Sequence, residues 1–395
     1  MSRKDKGALA AAVAFLVHAV AAQGMDYQCS GQFNLRGGHA DSDWEGSAEL
    51  RLMPEIRPGD AHLFLLHYEA AVLLGQVAFP PGDASRLFDL TGAWHDDDDR
   101  LACHRLDRLN YQYTADWGTL TLGREAITWG NGIVFNPIDL FNPFAPTDVE
   151  RDYKLGDDLV LLSLHPASWN GHTGWQLLLV PRRDPVTGSL QAKQSSLALK
   201  GHLFAGEGEW DFLAAWHFDE AVVGLGRIGY LGNAVWRWDA ILTFAEGDHH
   251  LFSTVANIDY SWNWDGLNYY GSLEFHYNTI GSPDYAGLAG EPLLLVRLAR
   301  GEVFTLGRAY LAPSLQIELH PLVNLHLSAV LNLQDPSAVV LPRLIWNFRQ
   351  DMEFTLGGAT ALGGPGTEFG GLRIPGFPEA GPDPDRLYLW LKAWF

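Results

Sequence analysis

The stretch RLYLWLKAWF, Arg386 to Phe395, ends the chain and decides how the rest of it is interpreted. Counted back from Phe395, alternate residues are all apolar, whereas the residues between them are aromatic or basic. Side chains point alternately to the two faces of a β-strand, so this pattern predicts one strand with an apolar face and a mixed face. About ten residues suffice for a tilted strand to cross a membrane. We therefore expect a closing membrane strand, with an edge strand of a soluble sheet as the alternative.

The other end of the chain indicates export. Arg3, Lys4 and Lys6 precede a small, apolar run that extends from Gly7 to Val20. This order is typical of a secretory signal peptide, which we assign to residues 1–22. Residues 23–395 are then a single β-barrel domain. No later stretch offers about twenty consecutive apolar residues, so the sequence predicts no membrane-spanning helix.

Composition excludes several classes of protein. The chain has 395 residues and a net charge of −20, which disfavours nucleic-acid binding. Its mean hydropathy of −0.05 is too polar for a helical membrane protein. A barrel fits this value, because its lipid-facing residues alternate with water-facing ones. Aromatic residues make up 12% of the chain, which is enough for girdles at the membrane interfaces.

Alternation of apolar and polar residues recurs along most of the mature chain. It is clearest in residues 210–218, 236–244, 269–277 and 325–333. The series predicts an all-β fold, a transmembrane antiparallel up-and-down barrel with long extracellular loops. Bacterial barrels have even strand numbers, and the candidates amount to about sixteen or eighteen strands.

Following the chain up and down places the connections on the two sides of the membrane. Both termini are expected in the periplasm, and segments 73–103, 130–157 and 363–385 are expected outside. The same path makes Thr279 to Glu291 a long periplasmic turn. The Gly-rich stretch GLGRIG, residues 224–229, is interpreted as a loop.

Residues Gly130 to Asp157 form the most distinctive segment outside the strands. Two Asn-Pro pairs break regular structure, and phenylalanines alternate with charged residues. Because exposed phenylalanines are unfavourable in water, we expect the segment to fold into the barrel mouth. An acidic ring in a narrow pore attracts cations; the alternative is that the acids pair with bases and only brace the loop. The predicted constriction residues are Arg124, Glu125, Asp139, Asp148, Glu150, Arg151, Asp152, Lys154, Asp157 and Asp158.

Arg124 and Glu125 pose a local problem for the preceding strand. The two residues are neighbours, so one of them would face lipid in a regular strand. A β-bulge at Gly123 would resolve this conflict.

Several stretches carry a resemblance to known proteins. They are HRLDRL (104–109), DWGTLTLGREAITWGNG (116–132), ERDYKLGDD (150–158) and ELHPLVNLHLSAVLNL (318–333). The chain resembles porin-like Gram-negative outer-membrane proteins, loosely similar to alginate-export-type barrels. Its terminal Phe395 is similar to the aromatic residue that the barrel-insertion machinery reads in such proteins. The resemblance implies a barrel and an outer-membrane location more than it implies a substrate.

Candidate catalytic and metal-binding residues are few. The acidic run Asp96 to Asp99, with nearby histidines and Cys103, matches no defined metal spacing and is interpreted as a solvated loop. Ser163 and His165 are close in sequence, but nothing supplies an orienting acid. We expect neither an enzyme nor a cofactor nor a metal. Cys29 and Cys103 could pair or remain free.

The sequence supports three hypotheses of function. The first is a porin-like channel in the cell outer membrane for the passive passage of small solutes, cationic or polar. The second is a barrel that sheaths or assembles with a periplasmic or secreted partner, in an export or electron-transfer complex. The third, an outer-membrane hydrolase, is the least supported. The expected partners are outer-membrane lipid, the insertion machinery and small solutes, with a homo-oligomer or a periplasmic partner left open.

Overall fold

A computed structural model describes residues 26–40, 43–75, 82–148, 153–165, 173–247, 249–283, 285–372 and 385–395. The predicted signal peptide lies outside these residues. One helix, α1 (Pro292–Arg300), follows a 3₁₀ turn (Tyr285–Gly290). The strands are β1 (Asp26–Ala40), β2 (Asp43–Gly59), β3 (His62–Leu74), β4 (Thr91–Asp96), β5 (Arg100–Ala115), β6 (Gly118–Glu125), β7 (Asp157–Leu164), β8 (Thr173–Val180), β9 (Ser196–Ala205), β10 (Gly208–His217), β11 (Glu220–Leu231), β12 (Ala234–Ala245), β13 (His249–Trp264), β14 (Leu267–Asn278), β15 (Ala309–His320), β16 (Val323–Asn332), β17 (Ser337–Arg349), β18 (Met352–Leu362) and β19 (Arg386–Trp394).

The strands form one antiparallel sheet that closes on itself, because β1 pairs with both β2 and β19. Two short strands, β4 and β6, together occupy one strand position of the barrel, because both pair with the same side of β5. The half of β5 that contains Leu101–Arg105 pairs with β4, and the half that contains Leu109–Ala115 pairs with β6 on the same side. The barrel therefore has eighteen strand positions, which confirms the predicted fold class and the larger of the two predicted strand numbers.

The outer face of the barrel is apolar. Along β19 the side chains of Leu387 and Leu389 are 59% and 48% exposed, whereas those of Tyr388 and Trp390, which alternate with them, are buried on the inner side. Exposed aromatic side chains lie near the strand ends, as in the girdles of membrane barrels. Those near the end that carries both termini include Phe64, Trp175, Phe204, Tyr230, Trp264 and Trp346, and those near the opposite end include Trp44, Trp94, Trp216 and Phe244. Among the described residues no helix is long and apolar enough to cross a membrane.

The two ends of the barrel differ in their connections. We call the end that carries both termini the terminal end and the opposite one the loop end. Most turns at the terminal end are short, whereas the long connections lie at the loop end, as expected for a membrane barrel. The loop-end connections include 75–99, 126–156, 181–195, 279–308 and 363–385.

Residues 279–308 correct one expectation. Thr279 to Glu291 was expected on the periplasmic side with the termini, but it follows β14 at the loop end. The reason is a strand that the sequence did not reveal. GLGRIG at 224–229 lies within β11 rather than in a loop, and a strand missed there reverses the end assigned to the connection at residues 279–291. The turn before β11 is hard to recognise, since Phe218 and Asp219 both adopt positive φ, 49° and 68°, without a glycine.

The expected bulge at Gly123 is also corrected. The register of β5 and β6 runs through this residue without interruption, and Asn110 faces Gly123 directly. Gly123 has a φ of +122°, and an added Cβ would collide with the carbonyl oxygen of Leu109. Arg124 is instead accommodated by ion pairs that bury it.

The last residue completes the closure. The N–H of Phe395 donates to the carbonyl oxygen of Gly31 at 3.0 Å, and the N–H of Gly31 donates back at 2.8 Å. The Phe395 ring lies across Gly31, where an added Cβ would collide with the ring. The ring is 65% exposed, so its outer side remains on the apolar belt.

We expect Phe395→Asp to reduce the yield of assembled barrel, because it places a charge on this belt and removes the ring from the closing seam. The folded wild-type protein should resist SDS at room temperature and change its gel mobility after boiling, since the closed sheet leaves no free strand edge. Phe395→Tyr is the matched control and should assemble normally. Equal amounts of the heat-modifiable band for the Asp and Tyr variants would contradict this prediction.

Candidate functional site

Residues 126–156 leave the wall after β6 and cross the interior before the chain returns at β7. We call them the inward segment; its residues 149–152 are outside the described part of the chain. Hydrogen bonds connect it to strands on two separated parts of the wall, around β10–β14 and around β1–β2. A segment attached in this way narrows the space through the barrel.

The strongest attachment is to Glu274, an inward residue of β14 with a side chain only 1% exposed. Its carboxylate accepts the backbone N–H groups of Ile133, Val134 and Phe135 at 2.6, 3.0 and 2.6 Å. The side-chain amide of Asn257 on β13 donates to the same carboxylate at 3.0 Å. A hydrogen bond to a charged group contributes about 1.5–3 kcal/mol, so this cluster fixes the tip of the inward segment.

A second attachment lies two strands away. The backbone N–H of Asn131 donates to Asp239 on β12 at 2.5 Å, and its side-chain amide donates to Asp239 at 2.8 Å and to Asp211 on β10 at 3.1 Å. Gly226 of β11 lies between these strands. An added Cβ there would be 2.5 Å from Asp239 Oδ1 and 2.9 Å from Asn131 Nδ2, so only glycine leaves room for this contact.

Apolar contacts reinforce these bonds. The ring of Phe135 stacks on His276 with centroids 4.4 Å apart and contacts Tyr310 at 5.3 Å. Phe141, 1% exposed, packs edge-on against Trp129 at 5.5 Å. Phe135 and Phe141 are thus covered, whereas Phe144 is partly buried.

The far end of the inward segment contacts the opposite wall. Tyr153 donates its hydroxyl proton to Gln32 of β1 at 2.6 Å, and its ring lies 3.9 Å below the guanidinium of Arg51 on β2. Next to it, the ammonium of Lys154 forms a buried ion pair with Asp139. This pair joins the far end of the inward segment to its middle.

Of the predicted constriction residues, Arg124 and Asp158 lie at the base of the inward segment. Arg124 is 2% exposed, and its guanidinium contacts Asp158 at 2.9 Å and Asp83 at 2.9 Å. It also donates to the carbonyl oxygen of Phe88 at 2.7 Å. These bonds hold residues 82–90 against the ends of β6 and β7.

Asp157 and Glu125 are paired with bases as well. Asp157 contacts Arg182 at 2.6 Å and Arg86 at 3.4 Å. Glu125 contacts Arg108 at 2.8 Å. The ion pairs form two separate groups: Asp157 is connected to Arg124 through Arg86 and Asp83, whereas Glu125 and Arg108 belong to a second group.

The remaining predicted residues complete this picture. Asp148 is half-buried on the inward segment, and Glu150, Arg151 and Asp152 lie outside the described residues. The ion pairs fit the alternative in which the acids brace the segment, and the role of the set in selectivity stays a prediction. The sequence pattern placed Glu274 on an inward face, but nothing in the sequence connects it with residues 133–135 so far away along the chain.

Burial affects the chemistry of Asp139. Its side chain is removed from water, and this raises the pKa of Asp139 to about 6 even though the Lys154 ammonium favours the ionised form. The carboxyl is therefore mostly ionised at pH 7 and mostly protonated at pH 5.

Solved structures match this fold across nearly the whole chain. Acinetobacter baumannii OccAB1 is 8% identical with a TM-score of 0.56, and the match covers 94% of this chain and 97% of that protein. Pseudomonas aeruginosa OccK5 (OpdH) is 10% identical with a TM-score of 0.56, covering 94% and 98%. Pseudomonas aeruginosa OccK2 (OpdF), solved in complex with glucuronate, is 10% identical with a TM-score of 0.55, covering 94% and 98%. These proteins are outer-membrane porins.

The fold is that of an outer-membrane porin. The porin-like part of the resemblance seen in the sequence is confirmed, whereas the similarity to alginate-export-type barrels stays a prediction. No protein-family profile matches the chain, and no curated protein matches it by sequence. The structural neighbours are channels and not enzymes, which is consistent with the expectation of no catalytic activity.

We expect Glu274→Gln to loosen the inward segment. The amide keeps one acceptor oxygen but loses the charge and the second acceptor that serve the N–H groups of residues 133–135. Single-channel recordings should show a higher and noisier conductance than wild type. Glu318→Gln, an inward residue near the terminal end of β15, is the matched control and should leave conductance unchanged. A Glu274→Gln conductance identical to wild type would mean that other contacts suffice.

We expect the permeability of cations relative to anions to fall between pH 7 and pH 5, with a midpoint near 6. Protonation of Asp139 removes a negative charge and leaves the Lys154 ammonium without its counter-charge. Reversal potentials in a KCl gradient measure this relative permeability at each pH. The step should be missing in Asp139→Asn; its persistence in that variant would assign it to another group.

Proposed function

We propose that this protein is an outer-membrane channel for the passive passage of small polar solutes, with cations favoured over anions. The observation that carries the proposal is the inward segment, held inside a closed barrel by Glu274 and Asp239. A barrel with an apolar outer belt and a polar interior suits a solute path across a membrane. A segment fixed across that path suits selection by size and charge.

The preference for cations rests on charge balance near the inward segment. Asp239 and Glu274 are held by N–H donors of neutral groups, and no base of the described chain lies within ion-pair distance of either. Asp211 beside them contacts Lys200 at 3.3 Å. Low-dielectric walls strengthen the field of charges that are not neutralised. The β10–β14 side of the interior is therefore negative.

The sheathing alternative finds less support. The inward segment occupies the interior and attaches to both sides of it, which reduces the room for a partner chain. A copurifying stoichiometric partner would favour that alternative over the channel.

The channel proposal is tested by recording purified protein in a planar bilayer. Stepwise conductance is expected, and a KCl gradient should give a reversal potential of the sign for cation preference, with a smaller value at high salt because the screening length shortens. Correctly inserted protein that never conducts would contradict the proposal.

Asp239→Asn tests the origin of the preference, since the amide keeps an acceptor for Asn131 but removes the charge. It should reduce the reversal potential. Asp98→Asn removes the same charge from an exposed loop-end position and should leave the potential unchanged. Equal effects of the two substitutions would attribute the preference to overall charge.

A further inference from the structure

A cavity lies between the inward segment and the loop-end parts of β10–β14, and Ile280, Arg297 of α1 and residues 302–305 complete its walls. Its volume is about 130 Å³. An apolar cavity of roughly 150 Å³ in another protein binds benzene, so this space is suited to one six-membered ring. The walls include the apolar side chains of Leu140, Phe144, Val222, Ile241 and Phe304.

The charged groups at this cavity are already neutralised. Asp139 is paired with Lys154, and Arg297 of α1 is paired with both Glu220 and Glu302. Burying an ion here would require a new counter-charge, which costs several kcal/mol if it is missing. The cavity therefore favours a neutral molecule.

Five polar atoms of the lining residues have no hydrogen-bond partner among the described residues: Oδ1 of Asn136, Oδ1 of Asp139, Nδ1 of His276, Nε of Arg297 and Nε2 of His217. His217, at the end of β10, is 2% exposed and lines the cavity, and its Nε2 has no hydrogen-bond partner among the described residues. Its Nδ1 lies 2.8 Å from the hydroxyl oxygen of Ser196, which itself accepts a hydrogen bond from Arg182 at 2.8 Å.

This arrangement assigns the imidazole proton. The buried hydroxyl of Ser196 has two partners among the described residues, and Arg182 can only donate to it, so Nδ1 of His217 is the one group that can accept the hydroxyl proton. A neutral imidazole that accepts at Nδ1 carries its proton at Nε2. The unpartnered Nε2 is thus a donor, and a buried donor without an acceptor is unfavourable.

We propose that this cavity binds a neutral, single-ring aromatic solute with an oxygen that accepts a hydrogen bond from Nε2 of His217. The ring occupies the apolar space, and a carbonyl, hydroxyl or ether oxygen satisfies the donor. The proposal rests on the channel function and deepens it, since it names a solute class that is held at the loop end before passage.

Benzamide is the probe, with binding to purified protein in detergent measured by calorimetry. We expect saturable binding at one site by wild type. His217→Phe keeps a planar ring but removes the donor, so it should weaken binding about tenfold, the effect of one lost hydrogen bond. His250→Phe, at an exposed position of β13, is the matched control and should bind as wild type does. Unchanged affinity of His217→Phe, or no binding by wild type, overturns the proposal.

Two further measurements keep the result decisive. Val222→Phe fills the cavity but leaves the imidazole of His217 in place, and it should also abolish binding. This variant provides the test if His217→Phe does not assemble, that is, if it shows no heat-modifiable band. Benzoate should bind at least tenfold more weakly than benzamide, and equal or tighter binding overturns the neutral class. Conductance without benzamide is recorded separately. Wild-type protein that conducts but does not bind benzamide would contradict the aromatic site alone. Wild-type protein that binds benzamide but does not conduct would contradict the channel function alone.

Discussion

The carboxylate of Glu274 solves the main physical problem of this structure. A chain that crosses the inside of a barrel brings backbone N–H groups away from the wall, where the sheet cannot pair them. Three consecutive N–H groups of the inward segment meet this one side chain, which is almost completely buried. Leaving one such donor unpaired costs about 1–3 kcal/mol, so the acid and the path of the segment depend on each other.

A glycine in the wall makes room for the second attachment of the inward segment, at Asn131. Gly226 leaves the space in which Asn131 reaches both Asp211 and Asp239, and its strand neighbours on either side keep regular pairing. Where the inward segment leaves and rejoins the wall, β6 and β7 are short strands. Beyond the end of β6, β4 pairs with β5 in its stead. The inward segment can leave the wall there because another strand replaces it and Arg124 ties the replacing segment down.

The sequence predicted the barrel better than the site. Alternation along a strand is local, so the residues alone identify the closing strand and the series of inward polar positions. The pattern failed at β11, because glycines at 224, 226 and 229 remove the side chains that carry it. Contacts such as Glu274 with Phe135 depend on which strands become neighbours across the interior. That information is not present in the spacing of residues.

The number of acids and bases in the inward segment does not show which of its charges remain unpaired. The inward segment and its ends hold acids and bases that pair with one another, as Asp139 does with Lys154. Its attachments to the wall differ in kind: Tyr153 meets a neutral amide and a guanidinium, whereas Asn131 and residues 133–135 meet carboxylates. Neutral donors satisfy the hydrogen-bonding capacity of a carboxylate without cancelling its charge. Two of the acids that fasten the segment, Asp239 and Glu274, therefore have no base of the described chain within ion-pair distance.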